Sequence, residues 1–328
     1  MTAARRTHAI RVHQFGGPEV LRYEEIDVPA PAPGEALVRH TAIGLNFIDT
    51  YHRSGLYPLT LPAGIGCEAA GVVEAVGEGV THLAVGDRIA YVGLPPGACA
   101  GARSYSADRM VRLPAGITDD VAASVMLKGL TAWYLLRRSH RVAAGEPILV
   151  YAAAGGTGQL VCQWAASLGA RVIGVAGTEA KAVLARRQGC AEVILADDPD
   201  FVARVKSASG GGVAAVYDSV GRDTFMQSLD CLRPHGIMVS YGNASGPVAP
   251  FSPMELAKRG SLHLTRPSLF DFIKDRAGIE AGTAELFAAL ESGAITVRID
   301  QHYALADAAR AHQDLESRRT TGATVLRP

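Results

Sequence analysis

The chain has 328 residues, of which 48% are hydrophobic and 20% are charged, and its formal net charge at pH 7 is zero. The length favours two domains, and the apolar content is sufficient for a full core. A zero net charge argues against a nucleic-acid partner or a charged membrane surface. The N-terminal residues 1–8 are polar and basic, unlike a secretory signal, and no apolar run reaches membrane-spanning length.

The five cysteines are scattered along the chain, and no two of them form a CxxC pair. Such scattered cysteines are typical of reduced thiols in a cytosolic protein and not of a disulfide framework. We therefore expect a cytoplasmic location without membrane association.

The first part of the chain, to about residue 125, is predicted to be mostly β-structure. Strands are expected at residues 8–12, 35–43 and 69–76, and another follows the turn that begins at residue 85. Glycine and proline separate these segments, which indicates a small barrel-like β domain. Residues 43–58 mix polar, aromatic and glycine residues without clean periodicity, so this block either lines a site or forms a structured loop.

From about residue 119 the pattern becomes helical and then alternates. Two helices are predicted at residues 119–126 and 127–138. The strands that then alternate with helices are predicted at residues 148–151, 172–175, 193–194, 213–217, 236–241 and 262–264. Alternation at this spacing is typical of a parallel sheet with helices on both faces. The segment after residue 268 is too small for a domain, and we expect it to return and complete the first one.

A glycine-rich turn, Ala-Ala-Gly-Gly-Thr-Gly at residues 153–158, joins the first of these strands to a helix. Strand, tight glycine turn and helix form the opening unit of a dinucleotide-binding domain. Gly155 and Gly158 hold the second and third glycine positions of the G-x-G-x-x-G pattern, while Ala153 replaces the first. The N–H groups at the helix start suit a diphosphate. A glycine turn in another kind of α/β protein is the alternative.

The end of the second strand indicates which dinucleotide is bound. An NAD site usually carries Asp or Glu there, which accepts from the ribose 2′-OH. Here the strand is followed by Gly177 and Thr178 without a carboxylate, although Glu179 comes next, and Lys181 lies one turn into the next helix. A missing acid and a nearby cation favour a 2′-phosphate, and hence NADPH. Arg186 and Arg187 are interpreted as part of a solvated helix face.

Ligands of a parallel sheet bind outside the carboxyl ends of its strands. Three polar segments follow predicted strand ends, at residues 218–221, 242–246 and 265–268. Their small and polar side chains would admit the cofactor and bond to it, while ordinary loop structure is the alternative.

Motifs along nearly the whole chain point to one family. They lie at residues 16–21, 46–58, 66–71, 128–131, 152–158, 217–224 and 315–318. By these motifs the chain resembles a zinc-free, medium-chain NADPH:quinone oxidoreductase of the zeta-crystallin-like group. The resemblance implies an α/β fold, with a GroES-like, β-rich substrate domain from residues 1–125 and 268–328. It implies a Rossmann domain with a doubly wound parallel sheet from residues 126–267.

The resemblance further implies NADPH in the cleft between the domains, and a homodimer formed mainly through edge strands of the Rossmann domains. The residues that it places at the cofactor, some of them also beside the substrate, are Asn46, Phe47, Tyr51, Thr131, Gly155, Gly156, Thr157, Gly177, Thr178, Lys181, Ser219, Tyr241, Gly242, Asn243, Arg266, Ser268 and Arg318. Close relatives carry a tyrosine near the adenine where this chain has Ala196, which weakens the expected adenine contact.

No metal is predicted. Zinc-dependent relatives supply a catalytic cysteine and a histidine where this chain has Asn46 and Cys67. They also carry a four-cysteine loop, whereas residues 91–105 contain only Cys99. A tetrahedral zinc site needs three or four such ligands. Cys67 is interpreted as a small buried residue.

The predicted reaction moves reducing equivalents from NADPH to a quinone and leaves negative charge on a quinone oxygen. Without a metal, hydrogen-bond donors must stabilise that charge, and Tyr51 and Asn46 are the candidates. One alternative is NADPH-dependent reduction of the C=C bond of an enone or enal, in which the same donors polarise a carbonyl. Another is a non-catalytic, NADPH-binding structural or RNA-binding protein, although the chain has no evident basic stripe for nucleic acid.

Overall fold

The structure is a computed structural model, and it describes residues 5–317 and 319–328. The chain divides into two compact units. The first comprises residues up to Lys128 with Ile273–Phe287 and Val297–Pro328, and the second comprises Gly129–Phe272 with Ala288–Thr296. The second unit thus begins and ends a few residues later than the predicted Rossmann domain, and it also takes in a short segment near residue 290.

The strands and helices have the following bounds. The strands are β1 (Arg5–Val12), β2 (Leu21–Val28), β3 (Glu35–Leu45), β4 (Ala63–Gly64), β5 (Glu68–Val76), β6 (Arg88–Val92), β7 (Ala102–Ser106), β8 (Met110–Arg112), β9 (Pro147–Val150), β10 (Arg171–Ala176), β11 (Glu192–Leu195), β12 (Val213–Asp218), β13 (Leu232–Ser240), β14 (His263–Thr265), β15 (Ile299–Ala304) and β16 (Ala323–Arg327). The helices are α1 (Phe47–Ser54), α2 (Asp119–Tyr134), α3 (Gly156–Ser167), α4 (Glu179–Arg187), α5 (Phe201–Ser209), α6 (Phe225–Asp230), α7 (Met254–Lys258), α8 (Leu269–Phe272), α9 (Arg276–Glu291) and α10 (Ala308–Glu316).

The first unit is built around β3, which pairs antiparallel with β5, β7 and β16. The main sheet has the strand order β15-β16-β3-β5-β6-β8, and β1 joins β2 and β4 in a smaller sheet. Val38, Ile43 and Ile89 from the main sheet are fully buried in one apolar cluster. Leu326 of β16 lies opposite Ile43, so the end of the chain does return to complete this β-rich unit.

The second unit contains a six-stranded parallel sheet in the order β11-β10-β9-β12-β13-β14. Val150 of β9 lies opposite Gly174 of β10 and Tyr217 of β12, so β9 is central. All six residues of β12 are buried, as expected for a parallel strand that is covered on both faces. The strand order reverses between β9 and β12, which is where ligands of such sheets bind. The predicted α/β fold class, with a Rossmann sheet, is confirmed.

The helices differ from the prediction at α1 and α2, and α7 and α8 were not predicted. Residues 47–54 form α1, although the sequence there shows no clear helical period. One helix, α2, replaces the two predicted ones, because no glycine, proline or cap residue interrupts the chain at residues 126–127. A short π-helical turn at Leu135–Ser139 follows α2. Among the described helices, none combines the length and the apolar composition needed to cross a membrane.

Candidate active site

Helix α1 carries the predicted substrate-side residues, and local hydrogen bonds fix its start. Asn46 precedes the helix in an extended conformation and forms a capping box with Asp49, three residues on. The Asp49 carboxylate accepts from the Asn46 backbone N–H at 2.8 Å. Gly55 ends the helix in the left-handed conformation, with a φ of 82°. The Asn-x-x-Asp spacing and the glycine were the sequence signals for this helix.

The amide of Asn46 is buried, with 3% of the residue exposed, and its hydrogen bonds fix its orientation. Nδ2 donates to Glu68 Oε1 at 2.7 Å and to the Gly44 carbonyl oxygen at 3.4 Å. The amide nitrogen therefore faces the Glu68 carboxyl oxygen. Oδ1 lies beside the Asp49 N–H in the capping box, but it makes no short hydrogen bond to the described residues.

This orientation corrects the role predicted for Asn46. Both amide hydrogens are used inside the unit, so Asn46 is not placed to donate to a quinone oxygen. The remaining polar atom, Oδ1, can only accept, and it is enclosed as well. Of the two residues predicted to donate to a quinone oxygen, Tyr51 therefore remains the candidate.

Glu68 is missing from the predicted site residues, and it is the centre of this hydrogen-bond group. It is fully buried, and besides Asn46 it accepts from the Leu127 backbone N–H at 2.6 Å and from Lys128 Nζ at 3.3 Å. Lys128 is itself only 7% exposed. The sequence does show an acidic residue among the small, apolar residues 66–71, which could have marked Glu68 as a site residue. Its partner Lys128, however, lies 60 positions further along the chain.

Phe47, Tyr51 and Tyr57 form an aromatic cluster on α1 and just after it. The ring centroids of Phe47 and Tyr51 are 5.6 Å apart, and those of Tyr51 and Tyr57 are 5.2 Å apart. Both pairs meet edge to face, an arrangement that aromatic quadrupoles favour. Tyr51 is 9% exposed, so most of its side chain is enclosed by this cluster and the rest of the unit.

Asp49, His52 and Cys67 form a second buried group beneath α1. Their nearest ligand-type atoms all lie within 4.8 Å of one another, and Cys67 Sγ is 3.9 Å from His52 Nδ1. Burial raises the pKa of Asp49 to about 7 and lowers the pKa of His52 to about 4. Burial also raises the pKa of the Cys67 thiol well above its ordinary value. Cys67 is thus a small buried residue with a protonated thiol, as the sequence indicates.

In the second unit, the glycine turn follows β9 at the reversal of strand order. Gly155 is the N-cap of α3, and Gly156 and Thr157 lie in its first turn, where N–H groups lack partners inside the helix. A Cβ at Gly158 would lie 2.1 Å from the Ala152 carbonyl oxygen. Only glycine therefore allows α3 to approach the turn this closely, which is the packing role predicted for Gly158.

The end of β10 lies beside the glycine turn, because the Ala153 N–H donates to the Val175 carbonyl oxygen at 3.0 Å. Thr178 caps α4, and its Oγ1 accepts from the Lys181 backbone N–H at 3.3 Å. Thr178 is exposed and Lys181 is half-buried. The structure therefore gathers the residues predicted for the 2′-phosphate at one strand end. Arg186, in contrast, pairs with the exposed Glu179 at 2.9 Å, in agreement with its interpretation as a surface residue.

The loops after β12 and β13 are held together by buried Asp218. Its carboxylate accepts from Thr224 Oγ1 at 2.7 Å, and its backbone carbonyl accepts from the Tyr241 N–H at 2.8 Å. Burial raises its pKa, while the hydrogen bonds oppose that rise. The Ala244 N–H donates to the Ser219 carbonyl oxygen at 3.2 Å. These bonds bring together the predicted cofactor residues of the two loops, namely Ser219, Tyr241, Gly242 and Asn243.

The remaining predicted cofactor residues lie in other parts of the chain. Thr131 lies on α2 and is 7% exposed, whereas Arg266 and Ser268 are exposed residues after β14. Arg318 lies outside the described residues. Ala196 directly follows β11 and provides no aromatic ring for an adenine there.

Two family models match the chain. Residues 32–144 match the alcohol dehydrogenase GroES-like domain, and residues 156–274 match the zinc-binding dehydrogenase. The chain is 49% identical to a quinone oxidoreductase of Pseudomonas aeruginosa over 321 residues, which are 97% of this chain and 99% of the relative. The chain belongs to the quinone oxidoreductase family. Within this family, quinone oxidoreductase 1 of Escherichia coli is 48% identical, over 97% of this chain and 99% of the relative.

Solved structures of the family support the same assignment. The crystal structure of Escherichia coli quinone oxidoreductase complexed with NADPH matches with a TM-score of 0.96 and 47% identity, over 98% of this chain and 100% of the other. A 2-haloacrylate reductase from a Burkholderia species is 44% identical, over 97% of this chain and 98% of the relative. The family therefore includes a relative that is named for an alkene substrate.

One of the two matching family models is described as a zinc-binding dehydrogenase, but the residues present do not form a suitable zinc site. Asp49, His52 and Cys67 form the one potential ligand group within residues 5–317 and 319–328. A structural zinc site uses four ligands, and a catalytic site leaves one position open. Three ligands are too few for a structural site, and because all three are buried they leave no open position for a catalytic one. One Asp49 oxygen also accepts the Asn46 backbone N–H at the start of α1. These residues therefore do not fit a zinc ion.

Proposed function

We propose that this protein oxidises NADPH and reduces a quinone, with Tyr51 as the donor that stabilises charge on the quinone oxygen. The observation that carries the proposal is the aromatic cluster on α1, which packs the Tyr51 ring between those of Phe47 and Tyr57. The flat faces of Phe47 and Tyr57 suit an aromatic acceptor. Relatives that are named quinone oxidoreductases cover nearly the whole chain, and a solved one binds NADPH.

The hydride chemistry belongs to NADPH when it is bound, and the protein supplies position and electrostatics. The N–H groups at the start of α3 would hold the diphosphate, next to Gly155, Gly156 and Thr157. Thr178 and Lys181 would hold the 2′-phosphate at the end of β10. On the substrate side, Tyr51 would donate to the oxygen on which negative charge develops, because a phenol hydroxyl is a hydrogen-bond donor.

Steady-state oxidation of NADPH and NADH, with 1,4-benzoquinone and 9,10-phenanthrenequinone as acceptors, tests the proposal. We expect rapid turnover with NADPH and little with NADH. Tight binding of NADPH without turnover on either quinone would contradict quinone reduction. Equal rates with both cofactors would instead contradict only the 2′-phosphate site.

Reduction of an activated C=C bond is a second candidate, because one relative, 44% identical, is named 2-haloacrylate reductase. In this reaction Tyr51 would polarise the carbonyl or carboxyl oxygen next to the alkene. The values of kcat/KM for 1,4-benzoquinone and 2-chloroacrylate, measured on one preparation, separate the two reactions. A higher value for 2-chloroacrylate would make alkene reduction the main activity.

We also propose a homodimer through the Rossmann units. β14 is an edge of the six-stranded sheet and, among the described strands, pairs with β13 alone. Leu264 on this edge is 37% exposed, and an unpaired strand edge favours pairing with another chain. Light scattering coupled to size-exclusion chromatography should give twice the chain mass of 34.3 kDa, and a monomer mass would contradict the proposal.

A cytoplasmic location is proposed from the cysteines. All five are free and buried, which fits a compartment that keeps thiols reduced. Fractionation of the source cells, followed by detection of the protein, tests this location.

A further inference from the structure

We propose that Asp218 is a positioning residue for the cofactor, because its carboxyl group holds the loops after β12 and β13 together as one platform. This two-loop platform comprises residues 218–224 and 241–246, and it supports the nicotinamide mononucleotide half of NADPH. The inference rests on the proposed placement of NADPH along the carboxyl ends of the strands in the second unit. It names the residue that shapes one half of that site.

The two loops lie on the half of the sheet opposite the predicted adenosine site. A doubly wound sheet binds one mononucleotide on each side of the reversal in strand order. The glycine turn follows β9, and Thr178 and Lys181 follow β10, all on one side of the reversal. The loops after β12 and β13 lie on the other side. A dinucleotide whose 2′-phosphate lies at Thr178 and Lys181 therefore meets these loops with its nicotinamide mononucleotide.

Asp218 is fully buried, so it acts on the cofactor through the residues that it holds. Its Oδ1 accepts from the backbone N–H groups of Val220 at 2.7 Å and of Gly221 at 3.1 Å. Its Oδ2 accepts from Thr224 Oγ1 at 2.7 Å and from Ser228 Oγ at 3.1 Å. An oxygen that faces two N–H groups accepts from them whether or not the other oxygen carries a proton. These bonds therefore fix the first loop in either protonation state.

The first loop in turn holds the second loop. The Asp218 carbonyl oxygen accepts from the Tyr241 N–H at 2.8 Å. The Val220 carbonyl oxygen accepts from the Ser245 N–H at 2.8 Å and from the Ser245 hydroxyl at 2.9 Å. The same hydroxyl accepts from the Asp223 N–H at 3.1 Å. The second loop thus takes its position from a loop that Asp218 shapes.

Glycines let the two loops approach so closely that they must move together. A Cβ at Gly221, whose φ is 93°, would lie 2.6 Å from the Gly246 carbonyl oxygen. A Cβ at Gly242 would lie 2.8 Å from the Cα of Ser219. Because no space separates the loops, a shift of the first one displaces Gly242 and Asn243, which are predicted cofactor residues.

Two substitutions at position 218 test the platform. Asp218→Ala removes the acceptor that Val220 and Gly221 share. Asp218→Asn keeps one oxygen for these N–H groups, and its amide nitrogen can donate to the hydroxyls of Thr224 and Ser228, which can also accept. We therefore expect the asparagine variant to preserve the platform and the alanine variant to disrupt it.

Isothermal titration with NADPH and with 2′,5′-ADP separates positioning from a general loss of structure. 2′,5′-ADP carries the adenosine and the 2′-phosphate but lacks the nicotinamide mononucleotide. Asp218→Ala should raise the Kd of NADPH by roughly tenfold or more, as expected when hydrogen bonds to one half of a ligand are lost, and change the Kd of 2′,5′-ADP by less than about twofold. Asp218→Asn should keep both Kd values within about threefold of the wild type.

Ser245→Ala tests the same link from the second loop, and it serves if Asp218→Ala does not fold. It removes the hydroxyl that joins Val220 to Asp223, so the Kd of NADPH should rise by about threefold or more while that of 2′,5′-ADP stays unchanged. Ser209→Ala is the matched control. The Ser209 hydroxyl accepts from the Gly212 N–H at 3.0 Å, in the turn before β12 at the other end of the strand. Its loss should leave both Kd values unchanged, even where it lowers Tm.

Two results would overturn the inference while leaving the proposed function intact. One is a folded Asp218→Ala variant, or a Ser245→Ala variant if the first does not fold, that binds NADPH as tightly as the wild type. The other is an equal loss of affinity for NADPH and 2′,5′-ADP, which would show that Asp218 supports the whole unit. If the wild type bound neither ligand, the proposed cofactor site itself would be wrong, and the inference would fall with it.

Discussion

Tyr51 lies between two aromatic rings on a capped helix, so its hydroxyl can be removed without loss of the cluster. We predict that Tyr51→Phe lowers kcat/KM for 1,4-benzoquinone roughly tenfold or more, which corresponds to about 1.4 kcal/mol of transition-state stabilisation. The Kd of NADPH should change much less than kcat/KM, because the hydroxyl that is removed is proposed to act on the quinone oxygen. Tyr23→Phe is the control, since Tyr23 is 45% exposed and stacks on His8 away from α1. Unchanged kinetics for Tyr51→Phe would remove Tyr51 from the mechanism.

Lys181 is the residue proposed to favour NADPH over NADH. We predict that Lys181→Ala raises KM for NADPH by roughly tenfold or more and changes KM for NADH little, because only NADPH has the 2′-phosphate. Arg186→Ala on the same helix serves as the control, as Arg186 pairs with Glu179 on the surface. An equal rise in KM for both cofactors would show that Lys181 supports the helix and not the phosphate.

Asp49 makes folding depend on pH in a definite direction. Burial raises its pKa from 3.8 to about 7, so the folded protein holds a proton that the unfolded chain releases above pH 3.8. This stabilising contribution is complete below pH 3.8 and is lost as the pH rises through about 7. Buried His40 and His52, whose pKa values fall to about 4, act in the opposite direction, so the comparison must be between variants.

The variant for this comparison is Asp49→Asn, which keeps an acceptor for the Asn46 backbone N–H but cannot titrate. Between pH 5 and 7, the free energy of unfolding of the wild type should fall relative to Asp49→Asn, by at most about 1.4 kcal/mol per pH unit. Urea unfolding at a series of pH values measures the difference. Parallel curves for the two proteins would mean that Asp49 is ionised throughout this range.

Residues of the cofactor site were readable from the sequence where the chemistry is local. The glycine turn and the end of β10, which carries no acidic residue, are each short segments of the chain. The structure places these two segments side by side. The Glu68–Lys128 pair joins residues 60 positions apart, and no local pattern specifies such a meeting. The Asn46 amide donates to Glu68 of this pair, so its hydrogen bonds could not be predicted from the residues next to it in the chain.

At the scale of elements, the close approach of helix α3 to the glycine turn depends on one residue, Gly158. We predict that Gly158→Ala weakens NADPH binding at least tenfold, because the added methyl group would meet the Ala152 carbonyl oxygen at 2.1 Å and displace the helix start. Gly116→Ala is the control, because its Cβ would have no heavy atom within 4 Å. Fluorescence titration with NADPH measures both variants, and normal binding by Gly158→Ala would show that α3 does not hold the diphosphate.

The elements of the second unit were predicted well because its strands are short apolar runs covered on both faces. Elements of the first unit with exposed faces were harder to predict from the sequence. β2 and β15 were missed, since their charged and polar residues alternate with few buried ones. α1 was missed because five of its eight residues are buried polar or aromatic side chains without an apolar stripe. These buried polar groups are also the ones that build the candidate active site.

At the scale of the whole molecule, the remaining question is whether the protein needs zinc, as the description of one matched family model implies. We predict that dialysis against a chelator leaves kcat/KM and Tm unchanged, because three enclosed ligands make neither a closed four-ligand site nor an open catalytic one. Elemental analysis of the purified protein should find far less than one zinc per chain. Cys67→Ser, which removes the softest of the three ligand atoms, should likewise leave the zinc content unchanged. A stoichiometry near one zinc, lost together with activity in Cys67→Ser, would show instead that Asp49, His52 and Cys67 form a metal centre.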